Sequence, residues 1–172
     1  TGTSSEIDFP NQLTMEYFMQ DAVRDLEPHA LWSYFSDLSA IPRESGNEEG
    51  VRQYLLSFAK EHDLTSIVEE VGNVIIKKPA AKGFEGRPSV ALQGHMDMVN
   101  EKNNDKVHDF DKDPLTLKIV GDDIYADETT LGADNGIAVA MGLALLASDD
   151  IKMPKLEIVF TANEEVSMEG AM

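Results

Sequence analysis

Cysteine is missing from all 172 residues of the chain. Its absence excludes disulfides and thiolate metal sites, so any metal held here must be taken by histidine or carboxylate. Basic residues are scarce. Fourteen Lys and Arg stand against 32 Asp and Glu, for a net charge of −18. Nucleic acid and anionic membranes both call for basic surface, so neither is expected as a partner. No apolar stretch is long enough to span a bilayer. No signal-like segment opens the chain, and neither an internal repeat nor a low-complexity tract interrupts it. What is present is ordinary for a globular protein with one core: 42% apolar and 27% charged residues.

Periodicity divides the chain. Residues 1–10 are polar and expected to be loose. From Thr14 to Leu26, apolar residues recur at Met15, Phe18, Met19, Ala22, Val23 and Leu26, which is helical spacing. A second helix is predicted from Pro28 to Leu38, with Leu31, Trp32, Phe35 and Leu38 inward. Ile41 to Gly46 reads as a loop. A third helix follows, with Asn47 as its cap and Val51, Tyr54, Leu55, Phe58 and Ala59 on one face. Thr65 to Val71 and Asn73 to Lys77 read as two strands about a turn at Gly72-Asn73. Pro79 to Pro88 is a loop, and Ser89 to Gln93 a short buried strand. Past the long polar loop from Asn100 to Pro114, a hairpin turns at Gly121-Asp122-Asp123. A helix then runs from Ile137 to Ala147, and a buried strand from Lys155 to Thr161. Helices alternating with apolar strands predict an α/β domain with a mixed, mainly parallel sheet.

Three polar tips end or precede these apolar elements. Val90-Ala91-Leu92-Gln93-Gly94 leads into His95 and Asp97. Thr129-Thr130-Leu131-Gly132-Ala133-Asp134-Asn135-Gly136 sets one acid between two glycines at the mouth of a helix. Leu156 to Asn163 leads into Glu164-Glu165. Taken singly, each has a plain structural reading: a strand-end histidine, a helix cap, two solvated glutamates. Together they offer one His, two Asp and two Glu, the ligand types of a zinc or dinuclear zinc hydrolase. Asp97 can accept a hydrogen bond from the imidazole nitrogen that faces away from a metal. Of Glu164 and Glu165, one can ligate while the other takes a proton from water. His29 and His62 read as solvated, His108 as loop structure, and Asp122-Asp123 and Asp149-Asp150 as turn and surface charge.

The stretches L-Q-G-H-M-D-M-V, V-H-D-F-x-K-D-P, T-T-L-G-A-D-N-G and T-A-N-E-E-V-S-M-E-G-A resemble the dinuclear zinc peptidases that include aminoacylase, carnosinase and carboxypeptidase G. The similarity runs from about His29 to the end. It implies a zinc exopeptidase-like catalytic domain, two Zn2+ per full-length subunit (with Co2+ or Mn2+ as other cations), and hydrolysis of dipeptides of Xaa-His type. It also implies roles. His95 and Glu165 would each ligate a zinc, Asp134 would be shared by both, Asp97 would orient His95, and Glu164 would be the general base. A cis peptide bond would follow Asp134. The same resemblance implies a cytoplasmic homodimer. It makes residues 1–27 an extension and helix, and residues 28–172 the N-terminal part of the catalytic domain. A lid domain, a further acidic ligand and a final histidine would come from chain beyond Met172. With two protein ligands per zinc, this chain alone is expected to be inactive. Aminotripeptidase or N-acyl-amino-acid hydrolase activity on the same site, or a non-catalytic module of the same fold, are the alternatives. Asp127-Glu128, where relatives often carry Arg and Gly, and Ser167, where Gly is usual, depart from the pattern without touching a proposed ligand.

Overall fold

The computed structural model describes residues 22–172. The helix predicted from Thr14 falls mostly outside the described residues; Val23, on its apolar face, is fully buried in the core. Helix α1 (His29–Ser39) starts after Pro28, whose extended backbone and missing N–H suit a helix entry. It buries Phe35 and Leu38, and Trp32 meets Phe35 edge to face at 5.9 Å. Helix α2 (Glu49–Glu61) buries Val51, Leu55, Phe58 and Ala59, the face its spacing predicts. Tyr54 lies at the margin of that face and donates its hydroxyl to Asp37 at 2.9 Å. The expected Asn47 cap is not found. Glu48 occupies the cap position, and its side chain makes no cap bond because it is engaged elsewhere.

Four strands, β1 (Thr65–Val68), β2 (Val74–Lys78), β3 (Val90–His95) and β6 (Leu156–Thr161), form one sheet in the order β1-β2-β6-β3. A separate hairpin joins β4 (Leu117–Val120) and β5 (Asp123–Ala126). The sheet is mixed, as expected, but parallel pairing does not dominate it. β1–β2 and β2–β6 are antiparallel; only β3–β6 is parallel. A parallel pair requires a crossover. Among the described elements, helix α3 (Ala133–Ala147) supplies the one such return, between β3 and β6.

A third correction concerns β3, expected to be buried. Val90 to Gln93 are exposed and only Gly94 and His95 are covered, because β3 is the outer strand, with β6 as its one neighbour among the described strands. Central β6 buries Leu156, Ile158, Phe160 and Thr161 instead. Val139, Ala140, Leu143 and Leu146 of α3 pack into the same core with Phe35 and Leu38 of α1. That packing fixes α3, and with it the Asp134 loop, against the ends of β3 and β6.

Candidate metal centre

The site grows out of one register. In the parallel β3–β6 ladder His95 stands opposite Thr161, so the two strands end at the same level. Ligands of open α/β sheets gather outside such carboxyl ends. Past β6, Asn163 takes a left-handed conformation (φ 53°, ψ 36°) and turns the chain into the short helix α4 (Glu164–Ser167). Past β3, Met96 donates its N–H to Thr161 O at 2.8 Å, which keeps the two strand ends together as they leave the sheet. The third loop arrives from the side. Gly132, left-handed at φ +65°, precedes α3, and the Asp134–Asn135 peptide bond is cis.

These three loops bring His95, Asp134 and Glu165 together, each offering a ligand atom within 4.8 Å of the others. This group can hold a metal ion. His95 Nε2 lies 3.1 Å from Asp134 Oδ1 and 3.8 Å from Glu164 Oε2. Asp134 is 81% exposed at its side chain and His95 only 8%. The site is therefore a buried imidazole facing carboxylates that open to solvent.

Asp97 sits behind this group and is fully buried. His95 Nδ1 lies 3.1 Å from Asp97 O and 3.3 Å from its Oδ1, so the ring presents Nε2 to the acids. Asp97 also accepts the Ser45 hydroxyl at 2.6 Å and the backbone N–H groups of Glu164 and Glu165 at 3.1 Å each. One carboxylate thus ties the loop after β3 to the start of α4. Burial works to raise the Asp97 carboxyl, but the bonds from His95, Ser45 and those two N–H groups outweigh it. They hold it well below the usual carboxylate range. Burial likewise works against a charged His95. Hydrogen bonds to Asp97 and Asp134, with the charges of Asp97 and Glu164, outweigh that and raise the imidazole to about 9. Surroundings that draw a proton onto this ring so strongly are surroundings that favour a cation.

Sequence reasoning missed further contributors between Arg43 and Glu48, a stretch it read as a plain loop to Gly46 and then as a helix capped by Asn47. Ser45 is one. Glu48, 4% exposed, accepts the N–H of Asn163 at 2.9 Å, immediately before the glutamate pair. Arg43, 2% exposed, donates to backbone carbonyls on both other loops. Burial lowers its guanidinium to about 10, partly offset by the Asp97 charge, so it stays protonated at neutral pH. The S-x-x-E spacing of Ser45 and Glu48 is that of a capping box; the fold spends both side chains on the site. Asn73, read as a turn residue, accepts the N–H of Ala162 at 3.0 Å and donates to Gly170 O at 2.8 Å. His29 and His62 are exposed. His108 meets Phe110 edge to face at 4.5 Å and takes no part in the group.

No protein-family model matches the chain. The cytosol non-specific dipeptidase of Escherichia coli K12 is 46% identical over 146 residues, which cover 85% of this chain and 30% of that protein. The crystal structure of aminoacylhistidine dipeptidase from Vibrio alginolyticus superposes with a TM-score of 0.85 at 44% identity, over 87% of this chain and 30% of that one. A Staphylococcus aureus tripeptidase shares the fold at a TM-score of 0.66 and 25% identity, over 85% of this chain and 39% of its own. The chain therefore spans about a third of the length of the proteins it matches. By sequence and by fold together, the chain is similar to part of these peptidases.

Proposed function

We propose that this chain supplies one side of the active site of a metal-dependent dipeptidase acting on Xaa-His peptides. The observation that carries the reading is the convergence of His95, Asp134 and Glu165 from three separate loops. The donor set fits a divalent cation: one imidazole nitrogen, carboxylate oxygens, and no thiolate anywhere in the chain. His95 and Glu165 would each hold one of two zinc ions, and Asp134 would be shared between them. Cobalt(II) and manganese(II) suit the same donors. When bound, such cations polarise the scissile carbonyl and acidify water.

The chain's own residues then divide the remaining work. Asp97 holds the His95 ring through Nδ1 and keeps Nε2 directed at the acids. Glu164, half-buried beside His95, accepts a proton from the attacking water and returns it to the amine that leaves. Glu165, anchored through its backbone N–H to Asp97, is the member of the pair assigned to metal. Residues 1–27 are proposed as an extension and residues 28–172 as part of the catalytic domain. Chain beyond this stretch would add the missing ligands and the lid, so these residues alone would not turn over substrate. A dipeptide is the proposed partner. Nucleic acid and membrane are not, given the net charge of −18 and no described helix long and apolar enough to cross a bilayer. A homodimer in the cytoplasm completes the proposal, the location following the cytosolic naming of the E. coli relative.

The two dipeptidase relatives are named for different breadths of substrate, and the tripeptidase likeness favours a second reading, aminotripeptidase activity on the same site. One panel separates these. Full-length protein, stripped of metal and reloaded with zinc, is offered Xaa-His dipeptides, other dipeptides, tripeptides and N-acyl amino acids. Zinc-restored hydrolysis fastest on Xaa-His supports the proposal, and preference for tripeptides replaces its substrate. Two tightly held metals in an Asp134→Ala variant would remove the shared-ligand reading. No hydrolysis of any member by the loaded protein leaves a non-catalytic module.

A further inference from the structure

We propose that Arg43 is a positioning residue for the metal centre, holding the loop that carries His95 and Asp97 at a set distance from the loop that carries Asp134. The inference rests on the metal-site reading above and adds to it the element that sets the spacing between ligands. Arg43 Nη1 donates to Met96 O at 3.0 Å and Asp97 O at 3.3 Å, while Nη2 donates to Gly132 O at 2.5 Å. The first two carbonyls follow β3 directly; the third lies two residues before Asp134. In return the Arg43 carbonyl accepts the Met98 N–H at 3.0 Å, so the loop after β3 is gripped by side chain and backbone at once.

Two features show that the fold makes room for this cation. A Cβ on Gly132 would lie 2.5 Å from Arg43 Nη2, and one on Gly136 would lie 2.7 Å from it. The glycines that flank Asp134 are therefore the floor on which the guanidinium rests, as well as a means of turning the chain. Burying a charge is costly unless its hydrogen bonds are met. Three of the bonds here go to carbonyls on ligand-bearing loops, and Nε finds no partner among the described residues. A planar fork can reach two loops at fixed geometry, which the single ammonium of lysine cannot.

The test uses the full-length protein and its Arg43→Lys, Arg43→Met and Gly136→Ala variants, with Lys78→Met as a control. Lys78 also binds backbone carbonyls, those of Leu146 and Ser148, but away from the site. Cobalt(II) affinity is read by competition with a chromophoric chelator, and site geometry by the visible spectrum of the bound cobalt. Partners one step behind a metal ligand typically change affinity about 10–100-fold. Both Arg43 variants are expected to lose affinity in that range and to shift the spectrum. Hydrogen exchange at residues 96–98 and 130–136 of the metal-free protein is expected to rise. Gly136→Ala suits a helix yet pushes the guanidinium aside, so it gives the same losses if the Arg43 variants fold poorly. Lys78→Met should leave affinity and spectrum as they are. Parent-like cobalt affinity and spectrum in Arg43→Lys would show that a point charge suffices and overturn the proposal. So would variants that lose only thermal stability. A parent that takes up no metal overturns both this inference and the function beneath it; a metal-binding parent with unaffected variants overturns this one alone.

Discussion

Replacing Asp97 by asparagine probes the centre at its most connected point. The two side chains match in shape, so packing around this fully buried residue is kept. What changes is the inventory of acceptors. Asp97 Oδ1 receives the Glu164 N–H and faces His95 Nδ1; Oδ2 receives the Glu165 N–H and the Ser45 hydroxyl. An amide has one oxygen, and its nitrogen only donates. The less costly placement puts NH2 at the Oδ2 position, because Ser45 can rotate and accept. Even so, the Glu165 N–H is left facing a donor, and the remaining bonds lose their charge. An orphaned buried donor costs about 1–3 kcal/mol, and charge-assisted bonds are roughly twice as strong as neutral ones. We expect a total loss of about 2–4 kcal/mol in the metal-free full-length protein, measured by urea unfolding. Divalent-cation affinity should fall about 10–100-fold, since His95 loses the group that orients it. A variant within about 0.5 kcal/mol of the parent, binding metal equally well, would refute the reasoning that Asp97 joins the two loops.

Three further outcomes follow from the same geometry. Glu164→Gln should keep metal and lose about 10²–10⁴ in kcat, while Glu165→Gln should lose metal affinity; measured metal content and turnover in the opposite pattern would exchange the two roles. The Asp97 carboxyl is held low in the folded state, so its stabilising share is complete above its usual value of about pH 4 and drains away as pH falls toward the lowered one. His95, raised to about 9 in the metal-free protein, contributes fully below about pH 6.5 and loses that share as pH rises through 9. Unfolding midpoints of metal-free protein should therefore be highest between those limits, and the parent's advantage over Asp97→Asn should shrink at pH 3. Leu143→Ala, at a fully buried position in the core, should cost about 2–5 kcal/mol by urea unfolding; a loss below 1 kcal/mol would mean that α3 does not rest on that core.

Much of the frame was legible in the order of residues. Helical spacing marks Phe35 and Leu38 in α1 and Val51, Leu55 and Phe58 in α2, and those are the residues that go inside. Apolar runs ending in His95 and in Glu164-Glu165 announce two strands with polar tips, and the motif around Asp134 the loop between them. These are local properties, since a period or a strand end is set within a dozen residues. The tertiary structure decided what depends on distant pairing. β3 reads as buried because its residues are apolar, yet burial is a matter of neighbours, and its place at the sheet edge leaves Val90 and Leu92 in the open. Strand direction was decided there as well: among the described strands, β3 and β6 are the pair joined by a helical return, and they run parallel. The loop from Arg43 to Glu48 carries no period at all, and its partners lie 52 to 115 residues further along the chain. A hydrogen bond across such a span leaves no trace in the local pattern at either end. The residue types that do the chemistry could be read from the sequence; the side chains that hold them at their distances became visible only where folding brought three loops to the end of two strands.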